Sequence, residues 1–174
     1  AGTGAMVGKL AGLPRAQKSG IGYYAISLGD LQIGALAVVN AVGEIFSYKN
    51  GEKIAGVWNN DRSKCSNIEE EMYLSHLSES MENTTLGVIF TNAKFSQAQM
   101  SKVASMTRAG FARSINPVST MADGDTIYAV SLGDVIADIS LVGALSANIM
   151  SHAIEDAVKS SSMSDEEFLG KIIY

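Results

Sequence analysis

Strand-like and helix-like segments in this chain come in groups of like kind, and that grouping limits the fold more than any single motif. "IGYYAISLGD" (21–30) and "IGALAVVNAVGEIF" (33–46) are rich in β-branched and aromatic residues and read as two strands. "YKNG" reads as a turn after them. "TTLGVIFTNA" (84–93) reads as the next strand. Ser96 and Gln99 then have capping-box spacing, and Met100, Val103, Ala104, Thr107 and Phe111 keep helical spacing on one face. "DTIYAVSLGD" (125–134) gives another strand; Ile139, Val142, Leu145, Ile149 and Ala153 mark a long helix after it, and Ser164 with Glu167 opens a last short one. "GTGAMVGKLAGL" (2–13) is expected to be helical after its glycines. Strict strand–helix alternation is missing, so the expected class is α+β, with strands stacked inside helices rather than a doubly wound parallel sheet.

The polar stretch 52–82, with Glu69, Glu70 and Glu71 in a row, reads as a surface loop with some helix in "IEEEMYLSHLSESM". One internal echo, "YAISLGD" (24–30) and "YAVSLGD" (128–134), suggests two similar strand–turn units but no solenoid.

A chain of 174 residues, 47% hydrophobic, supports one sizeable core and a single compact unit. Its net charge of -5 and the absence of a Lys/Arg cluster argue against nucleic acid and anionic membrane surfaces as partners. Asp138 breaks the longest apolar run below membrane-spanning length. Cys65 is the sole cysteine, so neither an internal disulfide nor a thiolate zinc site forms within the chain, and a reducing, cytoplasmic compartment is expected. The chain begins at Ala1 rather than Met, so a targeting segment or a longer precursor in front of it is compatible with this sequence.

Several familiar motifs fail on particular residues. The first glycine of a phosphate loop falls on Thr3 and its Ser/Thr on Leu10; the third glycine of a dinucleotide fingerprint falls on Val7. Asp123-Gly124-Asp125 lacks the remaining ligands of a calcium loop and reads as a turn opening a strand. His76 and His152 have no nucleophile elbow to serve, and both read as structural. No cofactor is expected.

Asn83-Thr84-Thr85 remains, where an acidic run gives way to a strand. It can be an ordinary loop end, a glycosylation acceptor, or a self-cleavage site. In the last case Thr84 Oγ attacks the Asn83 carbonyl, an N-to-O acyl shift gives an ester, and hydrolysis leaves Thr84 as a new terminus. The freed α-amine, with a reference pKa of about 7.7 to 8.0, can then act as base for its own hydroxyl without a histidine.

"NTTLGVIFTNAKFSQAQMSKVASMTRAGFARSINPVSTMADGDTIYAVSLGD", with "GTGAMVGKLAGL" and "ALAVVNAVGE", resembles the L-aminopeptidase D-amidase/esterase family, which includes β-peptidyl aminopeptidases and hydrolases of 6-aminohexanoate oligomers. The resemblance runs over nearly the whole chain. It implies a four-layer αββα sandwich of N-terminal-nucleophile-hydrolase type, related to the ornithine acetyltransferase fold, made as a precursor that cuts itself into α and β chains. Residues 1–83 would be the C-terminal part of the α chain, ending in the polar linker 52–82, and 84–174 the β chain; together they would form one domain. Thr84 would be the nucleophile, Asn83 the end of the α chain, and Lys9 a neighbour that helps hold the nucleophile's protonation state. Asn40 would donate its amide NH2 to the oxyanion. Asp123 and Asp125 would accept hydrogen bonds from the amine and orient the hydroxyl. The substrate would be a small peptide or amide, and the assembly a homo-oligomer of αβ units. Some family members carry Ser as nucleophile and Ser-x-Glu at the Asp123/Asp125 positions, so this sequence stands nearer the Thr, oligoamide-hydrolase branch. Family precursors are longer at the front. A non-catalytic binding or scaffold module and an acyltransferase of ornithine acetyltransferase type are the alternatives.

Overall fold

The computed structural model describes residues 2–74, 83–121 and 123–172. Its centre is a four-stranded sheet in the order β3-β4-β7-β9, made by β3 (Ile21–Leu28), β4 (Leu31–Asn40), β7 (Thr84–Ala93) and β9 (Thr126–Val135). β3 and β4 form a hairpin turned at Gly29-Asp30, β4 and β7 are antiparallel, and β7 and β9 are parallel. Two short strands, β1 (Met6–Val7) and β2 (Gln17–Lys18), pair with each other. A small sheet joins β5 (Glu44–Phe46), β6 (Lys53–Ala55) and β8 (Ile115–Asn116).

The parallel pair is joined through α2 (Gln97–Ser114), and α3 (Ile139–Lys159) follows β9; both lie on one face of the main sheet. The α2 capping box forms as expected, with Ser96 Oγ accepting from the Gln99 amide and the Gln99 side chain accepting from the Ser96 amide. Met100, Val103, Thr107 and Phe111 are buried on the predicted face, while Ala104 is half-buried. Asp138 caps α3 through the Leu141 amide, and Ser164 caps α4 (Asp165–Lys171) through that of Glu167. Gly22 lets α3 settle directly on β3: a Cβ there would lie 2.1 Å from the Ala157 nitrogen. The core between sheet and helices is built from Ile33, Ala35, Val39, Ile89, Phe111, Ile149, Met150 and Ile154.

The class is α+β, as expected. The described residues supply one helix layer and one main sheet, and the sheet's opposite face carries Tyr23, Leu36, Leu86, Tyr128 and Leu132 in solvent.

Three local expectations need correction. Residues 2–13 are not an α-helix: Met6–Val7 is a strand held by β2, and Lys9–Ala11 is a single 3-10 turn entered through Gly8 at φ 66. Long-range pairing overrides local helical preference there. In the polar stretch the expected helix forms as α1 (Ile68–Leu74), but the rest is less of a surface loop than its composition implies, because β6 forms and Ala55, Val57 and Ile68 enter the interior. The two echoed segments also part company: the first ends in the hairpin turn at Gly29, whereas Gly133 and Asp134 stay within β9. His76 and residues 75–82 lie outside the described residues.

Candidate active site

The ends of three adjacent strands meet at one edge of the sheet. Thr84 is the first residue of β7 and stands opposite Asn40, the last residue of β4. On the other side of β7, a bridge between Asn83 and Asp123 extends the β7–β9 pairing beyond Leu86↔Thr126. Residues distant in sequence are thus placed by strand register alone. Side chains alternate across a strand, so buried Thr85 and half-buried Thr84 point to opposite faces.

Thr84 Oγ1 donates to the carbonyl oxygen of Asn83 at 2.6 Å. The same oxygen accepts the Gly124 amide at 2.9 Å. Asn83 is itself buried.

Lys9 reaches the site from the 3-10 turn, whose amides at Gly8 and Lys9 are tied to the carbonyls of Gly43 and Val42. Its side chain is enclosed, with the residue only 3% exposed, and Nζ donates to Asn40 Oδ1 at 3.0 Å and to the Asn40 carbonyl at 3.3 Å. Lys9 is therefore not a solvated surface lysine. Burial lowers its pKa to about 8, against the pull of Asp123, which favours the charged form. Asn40 Oδ1 also accepts the Met6 amide at 3.2 Å. Two donors on that atom assign it as the oxygen and leave Nδ2 as the amide's donor end.

The two carboxylates are held by the backbone. Asp125 Oδ1 accepts the Thr85 amide at 2.7 Å, and burial, with Asp123 nearby, raises its pKa despite that bond. Asp123 Oδ2 accepts both the amide and the hydroxyl of Thr120, at 2.7 and 2.8 Å. The Thr84 hydroxyl is thus bonded to the Asn83 carbonyl, while Asp125 and Asp123 accept from Thr85 and Thr120. Beside Asp125, on the helix side, a cavity of about 320 Å³ is lined by Arg108, Phe111 and Thr126. Motifs alone point neither to Thr120 nor to the Gly124 amide. The spacing of Thr120 three residues before Asp123 is a local turn signal, but the Gly124 contact depends on register and has no such sign. His152 stands apart, bonded to Tyr48 Oη at 3.1 Å and stacked on Tyr24, as a structural histidine would be.

No group of His, Cys, Asp and Glu among the described residues is arranged to hold a metal ion. No helix there is long and apolar enough to cross a membrane.

Residues 1–165 match the family described as Peptidase family S58. The chain belongs to peptidase family S58. The resemblance read from the motifs is borne out by its relatives. An uncharacterized aminopeptidase of Mycobacterium leprae is 34% identical over 140 residues, covering 76% of this chain and 37% of the relative. A 6-aminohexanoate-oligomer endohydrolase of Kocuria sp. is 26% identical over 181 residues, covering 91% of this chain and 49% of the relative. The S58 chain described here thus spans half or less of the length of these curated relatives. Among solved structures, the L-aminopeptidase D-Ala-esterase/amidase of Ochrobactrum anthropi, described as a variant of the Ntn hydrolase fold, superposes with a TM-score of 0.60 at 14% identity, covering 97% of this chain and 50% of that one. A Burkholderia sp. beta-aminopeptidase gives 0.56 at 18% identity, with 97% and 51% covered. The fold of this S58 chain is that of the Ntn-hydrolase-like aminopeptidases.

Proposed function

We propose that this chain is the catalytic part of a self-cleaving amide hydrolase, an aminopeptidase or amidase acting on small peptides or oligoamides through an acyl-Thr84 intermediate. The observation that carries the reading is the Thr84 hydroxyl lying on the carbonyl of its own preceding peptide bond, at the first residue of a central strand. Family membership and the aminopeptidase and oligomer-hydrolase names of its relatives support the reaction class.

In this reading the Asn83–Thr84 bond is cut, residues 1–83 with the linker 52–82 are α-chain sequence, and 84–174 are the β chain, both parts of one domain. The freed Thr84 amine takes the proton from its own hydroxyl, and Oγ attacks the substrate carbonyl. Asn40 Nδ2 stabilises the tetrahedral oxyanion, since Oδ1 is already held by Lys9 and Met6. Lys9, charged below its pKa of about 8, favours the neutral amine. Asp123 and Asp125 accept from the new ammonium once the cut frees it. Water then releases the acyl group. The second sheet of a four-layer sandwich would pack on the open face of the main sheet, and αβ units would assemble as a homo-oligomer. The lone Cys65 thiol favours a cytoplasmic location.

Intact mass with N-terminal sequencing tests the reading. The expected result is a second N-terminus reading Thr-Thr-Leu-Gly-Val, with both pieces co-purifying because they share one sheet. A long-incubated full-length precursor that stays a single chain would remove self-cleavage. Hydrolysis of amides by that uncut chain would remove Thr84 as nucleophile. An amine acceptor outcompeting water would assign acyl transfer instead.

A further inference from the structure

Asn83 O is the oxygen that becomes an oxyanion if Thr84 cuts the bond before it, and it accepts two hydrogen bonds: from Thr84 Oγ1 at 2.6 Å and from the Gly124 amide at 2.9 Å. The first is broken as Oγ turns to attack. The second can remain and shorten as charge develops. We propose that the Gly124 backbone N–H is the oxyanion donor of the self-cleavage step, separate from Asn40, which serves substrate turnover. The proposal rests on the self-cleaving reading above.

The step balances as follows. Thr84 Oγ bonds to the Asn83 carbonyl carbon, the carbonyl electron pair moves onto oxygen, and Gly124 N–H, already 2.9 Å from that oxygen in the planar carbonyl, stabilises the charge as it develops. The tetrahedral centre then collapses with rupture of the C–N bond. The proton lost by the hydroxyl ends on the departing Thr84 nitrogen, giving the ester. Water cleaves the ester, leaving Asn83 as a carboxylic acid and restoring the Thr84 hydroxyl.

Two features point to Gly124 beyond an ordinary ladder contact. Its amide is aimed by the Asn83–Asp123 bridge, which continues the parallel pairing to the residue before the nucleophile. Its missing side chain is also explained by the hydroxyl. Gly124 is not among the glycines of left-handed backbone, so its φ does not demand glycine. Yet a Cβ there would stand 2.8 Å from Thr84 Oγ1, with every other neighbouring atom at 3.7 Å or beyond. Glycine at 124 therefore leaves room for the nucleophilic oxygen alone. A purely structural ladder bond predicts an effect on stability with no separate effect on the cutting rate of folded chains.

The test compares cutting rates of the full chain in three forms, each confirmed folded by circular dichroism and melting: the parent, Gly124→Ala, and a ligated version with glycolic acid at 124, in which an ester oxygen replaces the N–H. Removal of one oxyanion donor typically slows a reaction ~10²- to 10³-fold, and that is the expected loss in the glycolate form. Gly124→Ala keeps the N–H but displaces Oγ1, and cutting is expected to slow at least about tenfold. Parent-rate cutting by the folded glycolate form overturns the proposal. If the glycolate form does not fold, a ligated form with sarcosine at 124, which lacks the N–H and carries no Cβ, is read in its place, and parent-rate cutting by it overturns the proposal. A parent that never cuts refutes the self-cleavage reading instead, so the two failures are distinguishable.

Discussion

At the scale of single residues, Thr84 and Asn40 are predicted to fail differently. Thr84→Ala removes the attacking atom of the proposed mechanism, so the chain should remain uncut and inactive, yet lose little stability, because the hydroxyl's partner is the adjacent carbonyl. Thr84→Ser should still cut, more slowly, since the lost methyl loosens the rotamer that aims Oγ. Gel pattern and amidase rate read both. Asn40→Ala should cost about 2.7 to 4 kcal/mol of transition-state stabilisation in turnover. It should also cost about 1 to 2 kcal/mol of stability, because the Met6 amide and the enclosed Lys9 ammonium lose an acceptor. Lys9 sets a pH signature. Its folded pKa of about 8 lies below its ordinary value of 10.5, so between those values the unfolded chain binds more protons and stability rises with pH. The penalty is fully present only well below pH 8 and fades as pH rises through 8 towards 10.5. The melting difference between Lys9→Met and the parent should therefore move in the parent's favour from pH 7 to pH 10; a difference that stays constant would show that Lys9 is not buried as a cation.

Among the elements, the small β6-β5-β8 sheet hangs on a buried charge. Glu44, 1% exposed, takes Lys53 Nζ at 2.9 Å and the Val57 amide at 3.2 Å. Lys53→Met should cost about 3 kcal/mol, the low end for breaking a buried pair because Lys53 is partly in water, as read by denaturant unfolding. None of this was legible in the sequence, where 52–82 looks like a solvated stretch. A local pattern cannot show that Lys53–Ala55 will find Glu44–Phe46, or that Met6–Val7 will find Gln17–Lys18, since those pairings are made at a distance. What was legible was carried by local chemistry: the limits of β7, the capping box of α2 and the apolar stripe of α3. The site divides the same way. Thr84 and Asn40 could be named from motifs, but their facing positions follow from the β4–β7 register, and the Gly124 contact from that of β7–β9.

For the molecule as a whole, the described residues cover the main sheet on one face only. Tyr23 and Leu132 are each 70% exposed and Tyr128 58%, an apolar patch on the two edge strands, with Leu36 and Leu86 between them. Patches of this kind mark interaction surfaces. These residues on their own should enhance the fluorescence of a hydrophobic dye, and Leu132→Ser with Tyr128→Ser should diminish that signal without lowering the melting temperature. The pairing of β7 with β9 has a consequence in time as well as in space. Gly124 can meet Asn83 only after some forty intervening residues, α2 among them, have been laid down between the two strands. An unfolded or half-folded chain has no means of making that contact, so on the self-cleaving reading proposed above the backbone chemistry at Asn83 would be a clock that starts only when the sheet is complete. If the Asn83–Thr84 bond is cut as proposed, the denatured state becomes two separate polymers, and regaining the native form depends on their meeting: folding that began as a unimolecular event becomes concentration-dependent, and dilution alone becomes a way to keep the molecule unfolded.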